Sequence, residues 1–183
     1  MLKAVLSVLG EDRPGIVASV SALLAELECN IEDISQTILQ GEFAAIFLFS
    51  LKAEHNFDKV AEIISATLKE QGLTIKLKQK AKQTFTPYVS TQPFILTAIG
   101  KDKPGQIAKL TQIIAEFGCN IANLRATYQS ELYPDKVLMF YELDIPEDID
   151  LMNFKEKIMN AAKDMGMEVT LQHKNIFENI HRI

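Results

Sequence analysis

Cysteine is scarce and tryptophan absent in this chain of 183 residues. Two cysteines, Cys29 and Cys119, are too few for a disulfide framework, and a reducing cytoplasm is the compartment that suits them. No apolar run reaches the length of a membrane span. The basic excess of a nucleic-acid-binding surface is also missing. The formal net charge is -5, so direct contact with DNA or RNA is not expected. Histidine is limited to His55, His173 and His181. They have neither helical pair spacing nor a neighbouring carboxylate cluster, so no metal site is expected. The chain has no Gly-rich phosphate loop, no G-x-S-x-G and no cysteine with an evident histidine partner. Neither a catalytic centre nor a cofactor is expected.

What is present is a repeated device. Gly10-Glu11-Asp12-Arg13-Pro14-Gly15-Ile16-Val17 lies between the apolar run Leu2 to Leu9 and an amphipathic run from Ile16 to Leu27. Gly100-Lys101-Asp102-Lys103-Pro104-Gly105-Gln106-Ile107 lies in the same setting. A strand that ends at a glycine, turns through Asp-x-Pro-Gly and opens into a helix leaves backbone N–H groups free at the helix start. Such a place can hold a carboxylate or another small polar ligand. Aligned without a gap, 10–35 and 100–125 share Gly10/Gly100, Asp12/Asp102, Pro14/Pro104, Gly15/Gly105, Cys29/Cys119, Asn30/Asn120 and Ile31/Ile121, among others. This is a domain duplication rather than a short-period solenoid.

The first residues superficially resemble a signal peptide. The apolar part is too short, however, and it runs into Glu11-Asp12 without a small-residue cleavage site, so a first strand is expected. Ile16, Val20, Leu23, Leu24 and Leu27 then fall on one helical face. Pro14 suits the helix's first turn, and Cys29-Asn30 ends it. Ile31 to Leu39 and Phe43 to Leu51 read as strands joined at Gln40-Gly41-Glu42. Phe57, Val60, Ile63, Ile64 and Leu68 give a second helix, which Gln71-Gly72 stops. Leu73, Ile75 and Leu77 alternate in a fourth strand. The order β-α-β-β-α-β is the ferredoxin-like unit: a four-stranded antiparallel sheet with both helices on one face, in the α+β class.

The second copy repeats the order. Its hairpin runs from Ile121–Ser130 to Val137–Ile145 across 131–136. A helix follows over Met152 to Met165, and a last strand over Met167 to Leu171. The expected domains are 1–80 and 93–173, with a linker at 81–92 and a tail at 174–183. In that tail, Ile176, Phe177 and Ile180 could form one helical turn.

The residues Gly10 to Val17 with Cys29-Asn30-Ile31-Glu32-Asp33, and their second copy, resemble the ACT domain. Two such units alone resemble the family of glycine cleavage system transcriptional repressors. The resemblance implies amino-acid sensing, with glycine as the suggested ligand. Regulation would pass through a DNA-binding partner protein and not through direct contact with DNA. It also implies ligand contact at Gly10, Asp12, Pro14, Gly15, Ile16, Asn30 and Ile31. In the second copy the positions are Gly100, Asp102, Pro104, Gly105, Gln106, Asn120 and Ile121. Backbone N–H groups would take the ligand carboxylate, and Asp or Asn oxygens its ammonium. The ligand is expected at a domain–domain seam beside Asp12 and Asn30, with an altered counterpart at Asp102 and Asn120.

Each of these positions also has a plain structural role. Asp12 and Asp102 serve either as helix caps or as ligand contacts. Asn30 and Asn120 suit the helix end, in a left-handed conformation, before any ligand role. Lys76, Lys78, Lys80 and Lys82 form a solvated strand face more readily than a nucleic-acid stripe. Cys29 and Cys119 suit buried packing. Ala44, Ile46 and Leu48 make the outward face of their strand apolar, which suggests cover by the other module or by a second chain in a homodimer. The expected function is a non-enzymatic, cytoplasmic, amino-acid-sensing regulator. The alternatives are an accessory regulatory subunit of a metabolic enzyme, and a relative of the ACT-bearing deformylases that lacks their catalytic half.

Overall fold

The computed structural model of the chain describes residues 1–52, 56–80, 90–130 and 133–176. It divides into two compact units, Met1–Thr86 and Pro87–Ile183. The first contains β1 (Leu2–Glu11), α1 (Ile16–Glu26), β2 (Asn30–Leu39), β3 (Glu42–Leu51), α2 (Phe57–Glu70) and β4 (Thr74–Gln79). The second contains β5 (Thr91–Lys101), α3 (Gln106–Glu116), β6 (Asn120–Ser130), β7 (Tyr133–Pro146), α4 (Leu151–Asp164) and β8 (Met167–His173). The sheets run β2-β3-β1-β4 and β6-β7-β5-β8, and the paired strands are antiparallel. These are two ferredoxin-like modules of the α+β class.

Alternation in β1 selects the buried face. Ala4, Leu6 and Val8 are buried, as are Phe43, Ala45, Phe47, Phe49 and Leu51 of β3. Ile16, Val20, Leu23 and Leu24 of α1 and Val60, Ile64 and Leu68 of α2 join them in one core. Each such side chain contributes about 1.5–3 kcal/mol before entropy is counted. Ile63, expected on the same stripe, is exposed instead. The second module has its own core, from Phe94 to Met167, in which Tyr141 and Phe154 are fully enclosed.

Both edge strands β2 and β6 carry a bulge, where the register shifts between Ile31 and Asp33 and between Ile121 and Asn123. The extra residue keeps Ile31 and Ile34 on one side of the sheet and sends Asp33 and Ser35 to the other. Gln40 and Gly41 both have positive φ, 51° and 85°, the backbone of a tight two-residue hairpin. In the second module β7 begins at Tyr133, earlier than the expected Val137, and Ser130 pairs with Tyr133. The expected connection across 131–136 is therefore shorter, and Pro134 is tolerated so near a strand start.

Helix ends also differ from expectation. Asn56 caps α2 by accepting from the amides of Asp58 and Lys59, and Asp150 caps α4 by accepting from that of Asn153. The N-cap of α1, however, is Gly15 at φ 95°, and that of α3 is Gly105 at φ 89°. Asp12 and Asp102 therefore cap nothing, and Pro14 sits in the turn before the helix. At the other end the left-handed residues are Glu28 (φ 53°) and Gly118 (φ 67°). Asn30 and Asn120 already belong to strands. Thr91 and Gln92, expected in the linker, are part of β5. His55, Lys82, Phe177, Ile180 and His181 lie outside the described residues.

Candidate functional site

The two β–α loops are built alike. In the first module the Asp12 amide donates to the Gly41 carbonyl at 2.7 Å, which ties the loop to the β2–β3 turn. Arg13 Nη2 donates to the Gln71 carbonyl at 2.7 Å. At the matching place in the second module, Lys103 Nζ donates to the Met165 carbonyl at 3.2 Å. Each cation thus meets the carboxyl end of the second helix of its own module, where the helix dipole favours positive charge. No role for Arg13 or Lys103 is legible in the sequence, because nothing local shows that a loop and a distant helix end will meet.

The glycines that close β1 and β5 are required by packing. A Cβ on Gly10 would stand 2.7 Å from Leu73 Cδ2. On Gly100 it would stand 2.9 Å from the Gly166 carbonyl oxygen and from Met167 Cγ. Both positions lie where the last strand of the module begins, and close approach there accounts for the glycine.

Neither α1 nor α3 has a side-chain cap. The helical ladder starts with Ser19 donating to Gly15 and Lys109 donating to Gly105. The amides of residues 16–18 and 106–108 thus stand outside it. Gln106 differs from Ile16 in chemistry but not in place. It is only 2% exposed. Its Nε2 donates to the Lys101 carbonyl at 2.9 Å, and its Oε1 accepts from the Lys103 amide at 3.2 Å. The side chain braces the loop from inside, at the lining of the concavity beside the helix start.

Beside the α3 start lies an open concavity of about 680 Å³. Its rim is the loop from Asp102 to Gly105, and its floor is Ala126, Tyr128, Val137 and Met139 of the β6–β7 hairpin. Ala126 pairs with Met139 and Tyr128 with Val137, so all four share the helix side of the sheet. The hairpin extends past the helices, which leaves Tyr128 55% exposed and its first-module counterpart Ile38 52% exposed. Asp102 and Asp12 are exposed. Among the described residues neither carboxylate has a hydrogen-bond partner. The floor was missed in sequence because strand residues join a loop only through the register.

The family model for the ACT domain matches residues 3–78 and again 92–172. The chain belongs to the ACT domain family. A UPF0237 protein from Clostridium acetobutylicum is 42% identical over 80 residues, which make up 43% of this chain and 90% of that protein. One from Methanocaldococcus jannaschii is 45% identical over 89 residues, 49% of this chain and 96% of that protein. Each relative is therefore about one ACT module long. Among solved structures, an unknown protein from Galdieria sulphuraria superimposes with a TM-score of 0.79 at 24% identity, over 94% of this chain and 98% of that one. A protein provisionally assigned as a glycine cleavage system transcriptional repressor gives a TM-score of 0.70 at 20% identity, over 93% of this chain and 96% of that one. At these identities the likeness is one of fold.

Within one ACT module the expected ligand residues divide into two groups. Gly10, Asp12, Pro14, Gly15 and Ile16 gather at one end of the sheet, and Gly100, Asp102, Pro104, Gly105 and Gln106 do so in the second copy. Asn30 pairs with Ser50, which pairs with Lys3, at the opposite end. That is roughly 20–25 Å away, since β1 from Lys3 to Gly10 intervenes at about 3.3 Å per residue. A single amino acid cannot touch Asp12 and Asn30 of one module. Ile31 and Ile121 pack against the cores. Asn120 Nδ2 donates to Asp144 at 3.1 Å.

Burial pushes the Cys119 thiol up to about 11 and the Tyr141 phenol up to about 12, and it raises Cys29. None of these groups is an anion near neutral pH. Among the described residues, no group of three or more His, Cys, Asp or Glu could hold a metal ion, and no helix is long and apolar enough to cross a membrane.

Glu142 is held below the ordinary carboxylate range, first by the hydrogen bond from Lys174 at 2.9 Å and then by Asn123. A depressed folded-state pKa adds stability above the unfolded value, about 4.3, and that stability fades as pH falls through the folded value. Lys174→Ala should therefore be less stable than the wild type at pH 7, by about 1 kcal/mol or less for so exposed a pair. In urea titrations the two should converge as the pH falls below the carboxylate range. A gap that persists undiminished in acid would show that packing, not charge, is what Lys174 supplies.

Proposed function

We infer that the chain is a regulatory protein that binds a small amino acid at the β–α loop of an ACT module and passes the binding state to a partner protein. The observation that carries this reading is the uncapped start of α3 facing an open concavity, with the unpartnered Asp102 carboxylate on its rim. The amides of Gln106, Ile107 and Ala108 suit a carboxylate, because the helix dipole adds to their hydrogen bonds. Asp102 suits the ammonium group. The apolar floor suits a short side chain, and the volume is within the range of small-molecule sites. Gly100, Pro104 and Gly105 shape the loop. In the first module Asp12 and the amides of Ile16 to Ala18 form the corresponding set.

The protein would act in the cytoplasm without chemistry of its own. A DNA-binding regulator is our first candidate for the partner and a metabolic enzyme the second, and glycine is the first ligand to screen, since the chain shares its fold with the provisionally assigned glycine cleavage system repressor. A thermal-shift screen of the twenty amino acids is the test. Ligand at about a hundredfold its Kd should add roughly 2.7 kcal/mol. Asp102→Ala should weaken the binding found by about ten- to a hundredfold, the loss of one charge-assisted contact. No response to any amino acid would sink this reading.

A further inference from the structure

The helix-free side of the first sheet is organised in rows. The registers put Lys78, Val5, Leu48 and Asp33 level across the strands β4, β1, β3 and β2. The next rows are Lys76, Ser7, Ile46 and Ser35, then Thr74, Leu9, Ala44 and Thr37. The centre is apolar and open, with Ile46 53% and Leu9 52% exposed. One edge is basic, and the other carries Asp33. Lys76 and Lys78 have no ion-pair partner among the described residues. Both helices pack on the opposite side, so among the described residues no helix covers this face, and only at its end is a residue, Ser50, buried, in the row of Lys3, which pairs with Glu32. An antiparallel sheet with one solvated side normally alternates apolar and polar residues instead.

The second module does not repeat the pattern. The row equivalent to the first is Gln172, Ile95, Glu142 and Asn123. Its charge is already closed by Lys174. The basic-apolar-apolar-acidic row thus belongs to the first module alone.

The geometry points to self-association of the chain through this face, with the first modules of two copies stacked sheet on sheet about a two-fold axis parallel to the strands. Stacked sheets lie about 10 Å apart with strands within about 30°. An axis along the strands reverses the edge order and keeps the rows level. Lys78 then faces Asp33 of the second copy, Val5 faces Leu48, and the large Leu9 faces the small Ala44. Each contact occurs twice, as a closed dimer requires. An axis across the strands would set β4 on β4 and β2 on β2, so the basic edge would meet a basic edge and the edge with Asp33 its own copy. Like-charge contact selects against that arrangement. A face four strands wide and seven residues long would bury on the order of 1,000 Å² in total, the lower end for a specific contact. The dimer is accordingly a weak one, with a Kd on the order of micromolar to tens of micromolar.

Sedimentation velocity on the full chain, across that concentration range, tests this. The wild type should pass from monomer to dimer, and Ile46→Glu should weaken association by at least about a hundredfold. Lys78→Glu and Asp33→Lys should each associate poorly alone, because each brings like charges together twice. Mixed in equal amounts, the two variants should form a heterodimer, since one native ion pair and one of reversed sense then form. Misfolding of either variant would not generate that rescue, and circular dichroism of each confirms the fold. A wild type that stays monomeric would overturn the inference. So would association untouched by Ile46→Glu, or single variants that stay apart when mixed.

Discussion

Gly100→Ala should destabilise the second module by about 3 kcal/mol, while Gly10→Ala costs the first about 1 kcal/mol, within the usual range for overpacking. The positions are equivalent in sequence, and the difference lies in what each would meet. At Gly10 a Cβ meets the tip of a side chain, Leu73 Cδ2 at 2.7 Å, while backbone atoms stay at 3.7 Å or beyond. A rotamer change in Leu73 relieves that contact. At Gly100 the Cβ meets the Gly166 carbonyl oxygen at 2.9 Å and Met167 Cα at 3.0 Å, besides Met167 Cγ. Two of those atoms are backbone, at the point where β8 starts to pair with β5. Relief there needs the strand to shift, and Met167 belongs to the core. The loop to α3 starts at the same place, so the strain reaches the candidate site. For a module of this size each kcal/mol lowers Tm by about 4–8 °C, so calorimetry should show a drop near 15 °C for Gly100→Ala. Equal drops for the two variants would mean that β8 yields as easily as a leucine side chain.

Much of the fold is written in the residues. Alternation in Leu2 to Leu9, the stripe from Ile16 to Leu24 and the matched pairs ten to thirty-one define one module, and the repeat defines the second. Local sequence fails wherever two distant segments meet. Asp12 reads as a cap because it precedes a helix, yet the chain turns once more and Gly15 takes that position. Asn30 reads as a helix end because Glu28, a residue rarely left-handed, does the work that Gly118 does in the second copy. The bulges after Ile31 and Ile121 leave no mark in the alternation, although they decide which residues face outward. In the candidate site, the loop and its free amides were legible from Asp-x-Pro-Gly. The burial of Gln106 was not, because a polar side chain at a helix start suggests solvent. Nor was the floor of Ala126 and Met139, which exists only once the hairpin pairs.

Phe154→Ala should be more damaging still, and its effect should stop at the module boundary. Phe154 lies near the start of α4, is fully enclosed, and packs against the Phe117 ring with 5.2 Å between centroids. Lys157 Nζ stands 5.2 Å from the centroid of that same ring, near the end of α3. The pair therefore joins the two helices of the second module. Removing so large a buried ring costs about 3–5 kcal/mol, through lost transfer free energy and the cavity left behind. The aromatic contact with Phe117 adds to this. A small domain has only about 5–15 kcal/mol in hand, so the second module should be marginal or unfolded at 37 °C. The two cores share no residue: one runs from Ala4 to Leu73 and the other from Phe94 to Met167. The first module should accordingly keep its structure. In amide nuclear magnetic resonance spectra of the full-length variant, signals from β1 to β4 should persist while those from β5 to β8 collapse. Joint loss of both sets would mean that the modules fold as one cooperative unit, and that a ligand at either loop is felt through the whole chain.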